Sequence, residues 1–133
     1  MIDSKIIKIA LNTKNVGLTN NYTYKSSLKN STCGDKIKLE LIFKQSKIYL
    51  MKYETQACIY CEASASLLAN KIKNLTKENA IKDLDLLKNM LKTEKNIFPV
   101  KFREFKKLIN KKNFNRINCI NLPFDAVLKA LQK

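Results

Sequence analysis

From Lys36 the chain alternates strictly, with Ile37, Leu39, Leu41 and Phe43 apolar and Lys36, Lys38 and Glu40 charged between them. A period of two puts the apolar set on one side of a strand, so this segment predicts a half-buried β-strand. Lys44 to Lys47 is a short polar turn, and Ile48 to Glu54 reads as the hairpin partner. Upstream, Tyr22 to Leu28 can form a first strand, and Ser31 to Asp35 is a loop hinged at Gly34. Residues 3–11 carry helical spacing (Ile6, Ile7, Ala10, Leu11) behind acidic Asp3, and Asn15-Val16-Gly17 is a turn.

After Cys58 the period becomes helical. Ala63, Leu67, Leu68, Ile72 and Leu75 form one stripe. Thr76 can cap a second helix carrying Ala80, Ile81, Leu84, Leu87 and Leu91. Pro99 breaks the run, and Phe102, Phe105, Leu108 and Ile109 mark a third, short helix. Asn110 to Asn115 is a polar Asn/Lys loop in which Phe114 alone is apolar. Asn121 can cap a last helix with Pro123 in its first turn and Phe124, Val127, Leu128 and Leu131 inward. Helix, strands, then helices predicts an α+β fold: a small antiparallel three-stranded sheet with helices packed on one face.

Composition adds bounds. The 133 residues, 45% of them apolar, suit a single domain over 1–133 with one core. No apolar run approaches the roughly 18 residues of a membrane span. The start, Met1 to Leu11, lacks the apolar stretch of a signal peptide, so a reducing, cytoplasmic setting is expected. There, four cysteines point to metal binding or catalysis before disulfides. The net charge of +15 comes almost wholly from Lys, with Arg103 and Arg116 the only arginines. A nucleic-acid binder would more often use Arg forks with stacking aromatics, so that reading is set behind a solvated Lys-rich surface that favours acidic partners.

The chemistry lies in three islands: Cys33-Gly34-Asp35, Cys58-Ile59-Tyr60-Cys61, and Arg116-Ile117-Asn118-Cys119. Gly34 lets the backbone turn so that Cys33 and Asp35 can reach one cation. Cys58 sits where a strand gives way to a helix, and Cys119 precedes the last helix; a helix N-terminus would lower both thiol pKa values. With no His in the chain, a protein-only site must use sulfur and oxygen. Cys33, Cys58, Cys119 and Asp35 together could hold zinc or an iron–sulfur cluster. Spacing alone equally admits buried free cysteines. Cys58 and Cys61 form a CxxC without a thioredoxin-like setting. Ser64 and Ser66 have no His to serve as base and read as small residues at a crowded helix start.

The islands, in order, resemble the U-type iron–sulfur cluster scaffolds (the NifU N-terminal, IscU and SufU group) over roughly residues 5–132. The matching features are Asn15-Val16-Gly17, Cys33-Gly34-Asp35 before the alternating strand, Cys58 before Ala63-Ser64-Ala65-Ser66, and Arg116 to Cys119 before a terminal helix. The stretch from Lys88 to Asn115 resembles the insertion of the SufU-like branch. The resemblance implies that Cys33, Asp35, Cys58 and Cys119 hold a transient [2Fe–2S] cluster or Zn²⁺, and that Cys119 accepts sulfur as a persulfide from a cysteine desulfurase. It further implies that Arg116 contacts that desulfurase, that Asp35 is the weaker, labile ligand, and that recipient apo-proteins take the cluster.

The chain also departs from the family pattern. Thr55 and Ala57 stand where the family has glycines, and Cys61 stands where it has Ser, as a bystander or an additional thiol. Asn118 replaces the His of IscU-like members, and the Leu-Pro-Pro-Val-Lys chaperone motif is absent, which favours a SUF-type pathway. The competing readings are a non-enzymatic scaffold, a zinc-dependent sulfurtransferase partner of the desulfurase, and a Lys-rich nucleic-acid-binding module.

Overall fold

The alternating segment is the middle strand of an antiparallel sheet in a computed structural model that describes residues 3–90 and 97–132. Helix α1 (Ser4–Ala10) is followed by β1 (Tyr24–Lys29), β2 (Lys36–Lys44) and β3 (Lys47–Gln56) in the order β1-β2-β3. Then come α2 (Ile59–Lys71), α3 (Lys77–Lys88), two 3₁₀ segments (Val100–Lys107 and Lys111–Arg116) and α4 (Ile117–Leu131). The expected α+β architecture is the one observed. Ile37, Leu39 and Leu41 face the core, opposite Thr55, Tyr53 and Met51 on β3. The β2–β3 turn uses Gln45 and Ser46, both at positive φ (54° and 64°), the turn geometry that matches strand twist.

Helices α4 and α2 cover the core face of the sheet. Ser26 on β1 donates its hydroxyl to the Ala126 carbonyl of α4 at 2.6 Å. Ala63, Ser64, Ala65, Ser66, Leu67 and Leu68 of α2 are all buried, so this helix is enclosed rather than one-sided. Its small residues earn their places by close approach. The Ser64 hydroxyl donates to the Ile120 carbonyl at 2.7 Å, and the Ser66 hydroxyl donates to the Asn12 carbonyl at 2.9 Å. Thr76 caps α3 as expected, accepting from the Asn79 N–H. The expected stripe position Leu91 lies outside the described residues.

Two expectations change. The third helix is a 3₁₀ segment entered at Pro99, and the Asn/Lys loop is a second one, whose Asn113 is buried and donates to the Leu108 carbonyl at 2.9 Å. The last helix starts at Ile117, not at an Asn121 cap. Cys119 therefore lies within its first turn and Pro123 within its second. Proline lacks the N–H that would bond the Cys119 carbonyl. Burial of Ile120, Pro123 and Phe124, with Phe124 stacked edge-on against Phe105 at 5.2 Å, carries the helix through it.

The outer face of the sheet is crossed by the connection from α1 to β1. Asn15 and Gly17 bond Tyr53 at the β3 edge, and the chain then passes over β2. Glu40, 3% exposed, holds it there: its carboxylate accepts from the Thr19 N–H, the Thr19 hydroxyl and the Asn20 N–H at 2.8, 3.0 and 2.8 Å. Removing the buried carboxylate gives up three hydrogen bonds to a charged acceptor, so Glu40→Ala is expected to cost about 2–3 kcal/mol of stability in urea denaturation. A loss below about 0.5 kcal/mol, the range of ordinary surface changes, would mean that the connection does not depend on Glu40.

Candidate metal centre

Three connections deliver the thiols to one end of the sheet. The β1–β2 loop turns at Gly34, whose φ is +77° and whose N–H donates to the Asn30 carbonyl at 2.8 Å. A Cβ there would meet nothing within 4 Å, so it is the backbone conformation and not space that calls for glycine. This loop carries Cys33, exposed, and Asp35, buried. The β3–α2 junction carries Cys58, and the first turn of α4 carries Cys119.

The Sγ atoms of Cys33 and Cys119 are 3.5 Å apart, and with a carboxylate oxygen of Asp35 they lie within 4.8 Å of one another. Cys58 is outside that three-residue cluster but adjoins it. Its N–H donates to Asp35 Oδ1 at 3.0 Å, and its thiol interacts with both Asp35 and Cys119. Asp35 Oδ2 is buried without a hydrogen-bond partner among the described residues. The fold thus brings together the four residues singled out from the sequence, three tightly and one at their border.

Electrostatics differ from the helix-dipole expectation. Burial raises the Cys58 thiol above its ordinary value and outweighs the Cys61 N–H that lowers it, with the Asp35 carboxylate adding to the rise. Cys119 is pushed up strongly, first by burial and then by Cys33, Cys58 and Asp35. Asp35 moves the other way: burial raises it, but hydrogen bonds from Cys58, Cys119 and Cys33 together hold it below the ordinary value. Cys33, Cys119 and Asp35 offer donor atoms close enough to share one cation, with Cys58 beside them.

Cys61 is fully buried in the first turn of α2, apart from the cluster, with its thiol also raised by burial. Arg116 immediately precedes α4, and its guanidinium carbon lies 5.6 Å from the centre of the Tyr60 ring. Tyr60 was not singled out from the sequence; no spacing signal links positions 60 and 116, which meet through tertiary packing.

The chain belongs to the U-type iron–sulfur cluster assembly scaffolds: the family model described as NifU-like N terminal domain matches residues 1–133. It is 28% identical to the iron–sulfur cluster assembly scaffold protein IscU of Streptococcus pyogenes serotype M1 over 107 residues, 80% of this chain and 67% of that protein. The zinc-dependent sulfurtransferase SufU of Bacillus subtilis (strain 168) is 26% identical over 123 residues, covering 92% of this chain and 83% of that one. The second relative agrees with the SufU-like branch. Among solved structures, the N-terminal part of a NifU-like protein from Brucella abortus superposes with a TM-score of 0.87 at 21% identity, over 98% of this chain and 91% of that one. That likeness confirms the fold. No helix among the described residues is long and apolar enough to cross a membrane.

The opposed shifts define two pH limits for the protein stripped of metal. Asp35, depressed on folding, contributes stability above its unfolded pKa of about 3.9 that is lost as the pH falls through the lower folded value. Cys119, raised on folding, contributes stability below its unfolded value of about 8.5 that is lost as the pH rises beyond it. Urea midpoints measured against pH should fall at both ends. Asp35→Asn should flatten the acid limb and Cys119→Ser the alkaline limb; limbs unchanged in these variants would assign the losses elsewhere.

Proposed function

We propose that this chain is an assembly scaffold that takes sulfur from a cysteine desulfurase and builds and passes on a labile [2Fe–2S] cluster. Its ligands are Cys33, Asp35, Cys58 and Cys119. The observation that carries the reading is the convergence of one donor atom each from Cys33, Cys119 and Asp35 within 4.8 Å of one another. Asp35 Oδ1 is taken by the Cys58 N–H, which leaves Oδ2 as a single oxygen donor. The sulfur separation of 3.5 Å suits two thiolates on one tetrahedral ion; metal–sulfur bonds of about 2.3 Å imply an S···S edge of roughly 3.8 Å. The donor set therefore fits zinc or iron.

Cys119 is the sulfur acceptor in this reading. Its thiolate attacks the outer sulfur of the donor's persulfide; that S–S bond breaks, a new one forms on Cys119, and the donor leaves as thiolate. Cys119 is only 4% exposed and is covered on one side by Cys33. Acceptance therefore requires the β1–β2 loop to swing Cys33 aside. Arg116, exposed one turn before Cys119, is placed to meet the donor protein. Asp35, a hard oxygen ligand among soft sulfurs, is the weak link through which the cluster is released to recipient apo-proteins. Cys61, sealed in the core, is a bystander. The whole of 1–133 acts as one domain, in the cytoplasm, where thiols stay reduced.

A second reading, a zinc-dependent sulfurtransferase that stimulates the desulfurase, draws on the name of the Bacillus subtilis relative. A resident Zn²⁺ would supply the positive charge that keeps these thiols ionised. Metal and acid-labile sulfide in protein purified without oxygen decide between the two. Iron with matching sulfide, lost in Cys33→Ala and longer-lived in Asp35→Ala, is the expected result. One zinc without sulfide would move the conclusion to sulfur transfer, and neither metal would remove both readings.

A further inference from the structure

Strand β3 is an edge of the sheet, and part of that edge is already covered. Near its start, the Ile48 N–H donates to the Leu75 carbonyl at 2.9 Å and the Asn74 N–H to the Ile48 carbonyl at 2.8 Å. Farther on, the Tyr53 N–H donates to the Asn15 carbonyl at 3.2 Å and the Gly17 N–H to the Tyr53 carbonyl at 2.8 Å. In an antiparallel ladder the polar groups of residues two apart point to the same side. The outward bonds of Tyr53 therefore fix the direction of Thr55. Its N–H and C=O face away from β2, and none of the described residues pairs with them.

These groups open into a cleft of about 590 Å³ whose walls include Thr13, Val16, Lys36, Lys38, Gln56 and Glu62. The strand ends at Gln56, and Ala57 alone separates it from Cys58, so the open edge ends beside the candidate centre. An uncovered edge is a template for an added strand. Charge selects what can use it. Lys36 and Lys38 take part in no ion pair among the described residues, whereas Glu54 beside them accepts the Leu18 N–H. Glu62 stands on the α2 side of the cleft. A second copy of a chain carrying +15 is opposed by repulsion.

We propose that the Thr55 end of β3 is the docking edge for an extended, acidic segment of the sulfur-donor protein. The segment adds as a fourth strand, with acidic side chains toward Lys36 and Lys38, and leads the donor's sulfur along the strand to Cys58 and Cys119. The proposal rests on the reading that a cysteine desulfurase is the partner.

Amide hydrogen exchange with and without a SUF-type cysteine desulfurase tests it. The Thr55 amide should exchange fast alone and become protected in the complex. Thr55→Pro removes the outward N–H without touching the bonds to β2, a substitution that edges tolerate. It should keep metal content and urea midpoint while raising the desulfurase concentration needed for half-saturation about tenfold, the effect of losing one or two net hydrogen bonds. Lys36→Glu with Lys38→Glu should weaken binding comparably, most at low salt. Binding with Thr55 still exchanging fast would overturn the proposal and leave the functional reading standing. Absence of any binding by the unaltered protein would overturn both. Thr55 protection that grows with protein concentration alone would give the edge to a second copy and refute the assignment.

Discussion

The arrangement at the candidate centre depends on one buried carboxylate shared between two connections. Asp35 ends the β1–β2 loop and Cys58 begins the entry to α2, and the Cys58 N–H donating to Asp35 Oδ1 ties the two together at 3.0 Å. That bond satisfies one oxygen and leaves the other buried beside the thiols, without a close hydrogen-bond partner among the described residues. A hydrogen-bonded anchor and an unsatisfied donor on one side chain divide its work. Oδ1 sets the geometry, and Oδ2 is left for chemistry. Gly34 makes the division possible, since the loop must pass through a positive φ to turn Asp35 back toward Cys58.

The rest of the fold keeps that end of the molecule from relaxing. Helix α2 is enclosed on all sides, and its serines are fixed by bonds to Ile120 of α4 and to Asn12 of the N-terminal connection. The same connection is pinned across the sheet by Glu40. Cys58 and Cys119 are thereby mounted on elements locked to each other. Burial raises both thiols toward their neutral form beside the carboxylate, and interdigitated packing holds them there. The crowding is a property of the scaffold.

Much of this was legible in the residues, for identifiable reasons. The strand showed itself because Ile37, Leu39 and Leu41 turn to the core and Lys36 and Lys38 to solvent, although Glu40 on the outer face is buried under the connection from α1. Cys33, Cys58 and Cys119 drew notice because each reads as lying at a break in periodicity, with Asp35 two residues from Cys33, and the family resemblance singled the four out as a ligand set. Residues 100–116 were less readable: short 3₁₀ turns carry no long period, and polar Asn113 is buried with its side chain donating to the Lys107 and Leu108 carbonyls. The start of α4 was misplaced because Asn121 and Pro123 imitate a cap and a first turn. Tertiary burial of Ile120 and Phe124 overrode that local signal. The thiol pKa values were misjudged for a similar reason. A helix N-terminus stabilises charge locally, and desolvation with an adjacent carboxylate reverses the balance.

The two sulfurs that touch, those of Cys33 and Cys119, are held very differently, and this asymmetry bears most on how such a centre could work. Cys119 sits in the first turn of a long, buried helix packed against α2 and β1. Cys33 sits on an exposed hairpin loop whose turn depends on one glycine. Displacing Cys119 would disturb the core, whereas displacing Cys33 bends a loop at a far smaller cost. Any exchange at the centre should therefore open on the Cys33 side, leaving Cys119 as the fixed point that receives what enters. Under the proposed function, Cys33 at the exposed tip of the loop is the donor free to move, while Asp35, tied to the Cys58 N–H, stays with Cys58 and Cys119 on the frame.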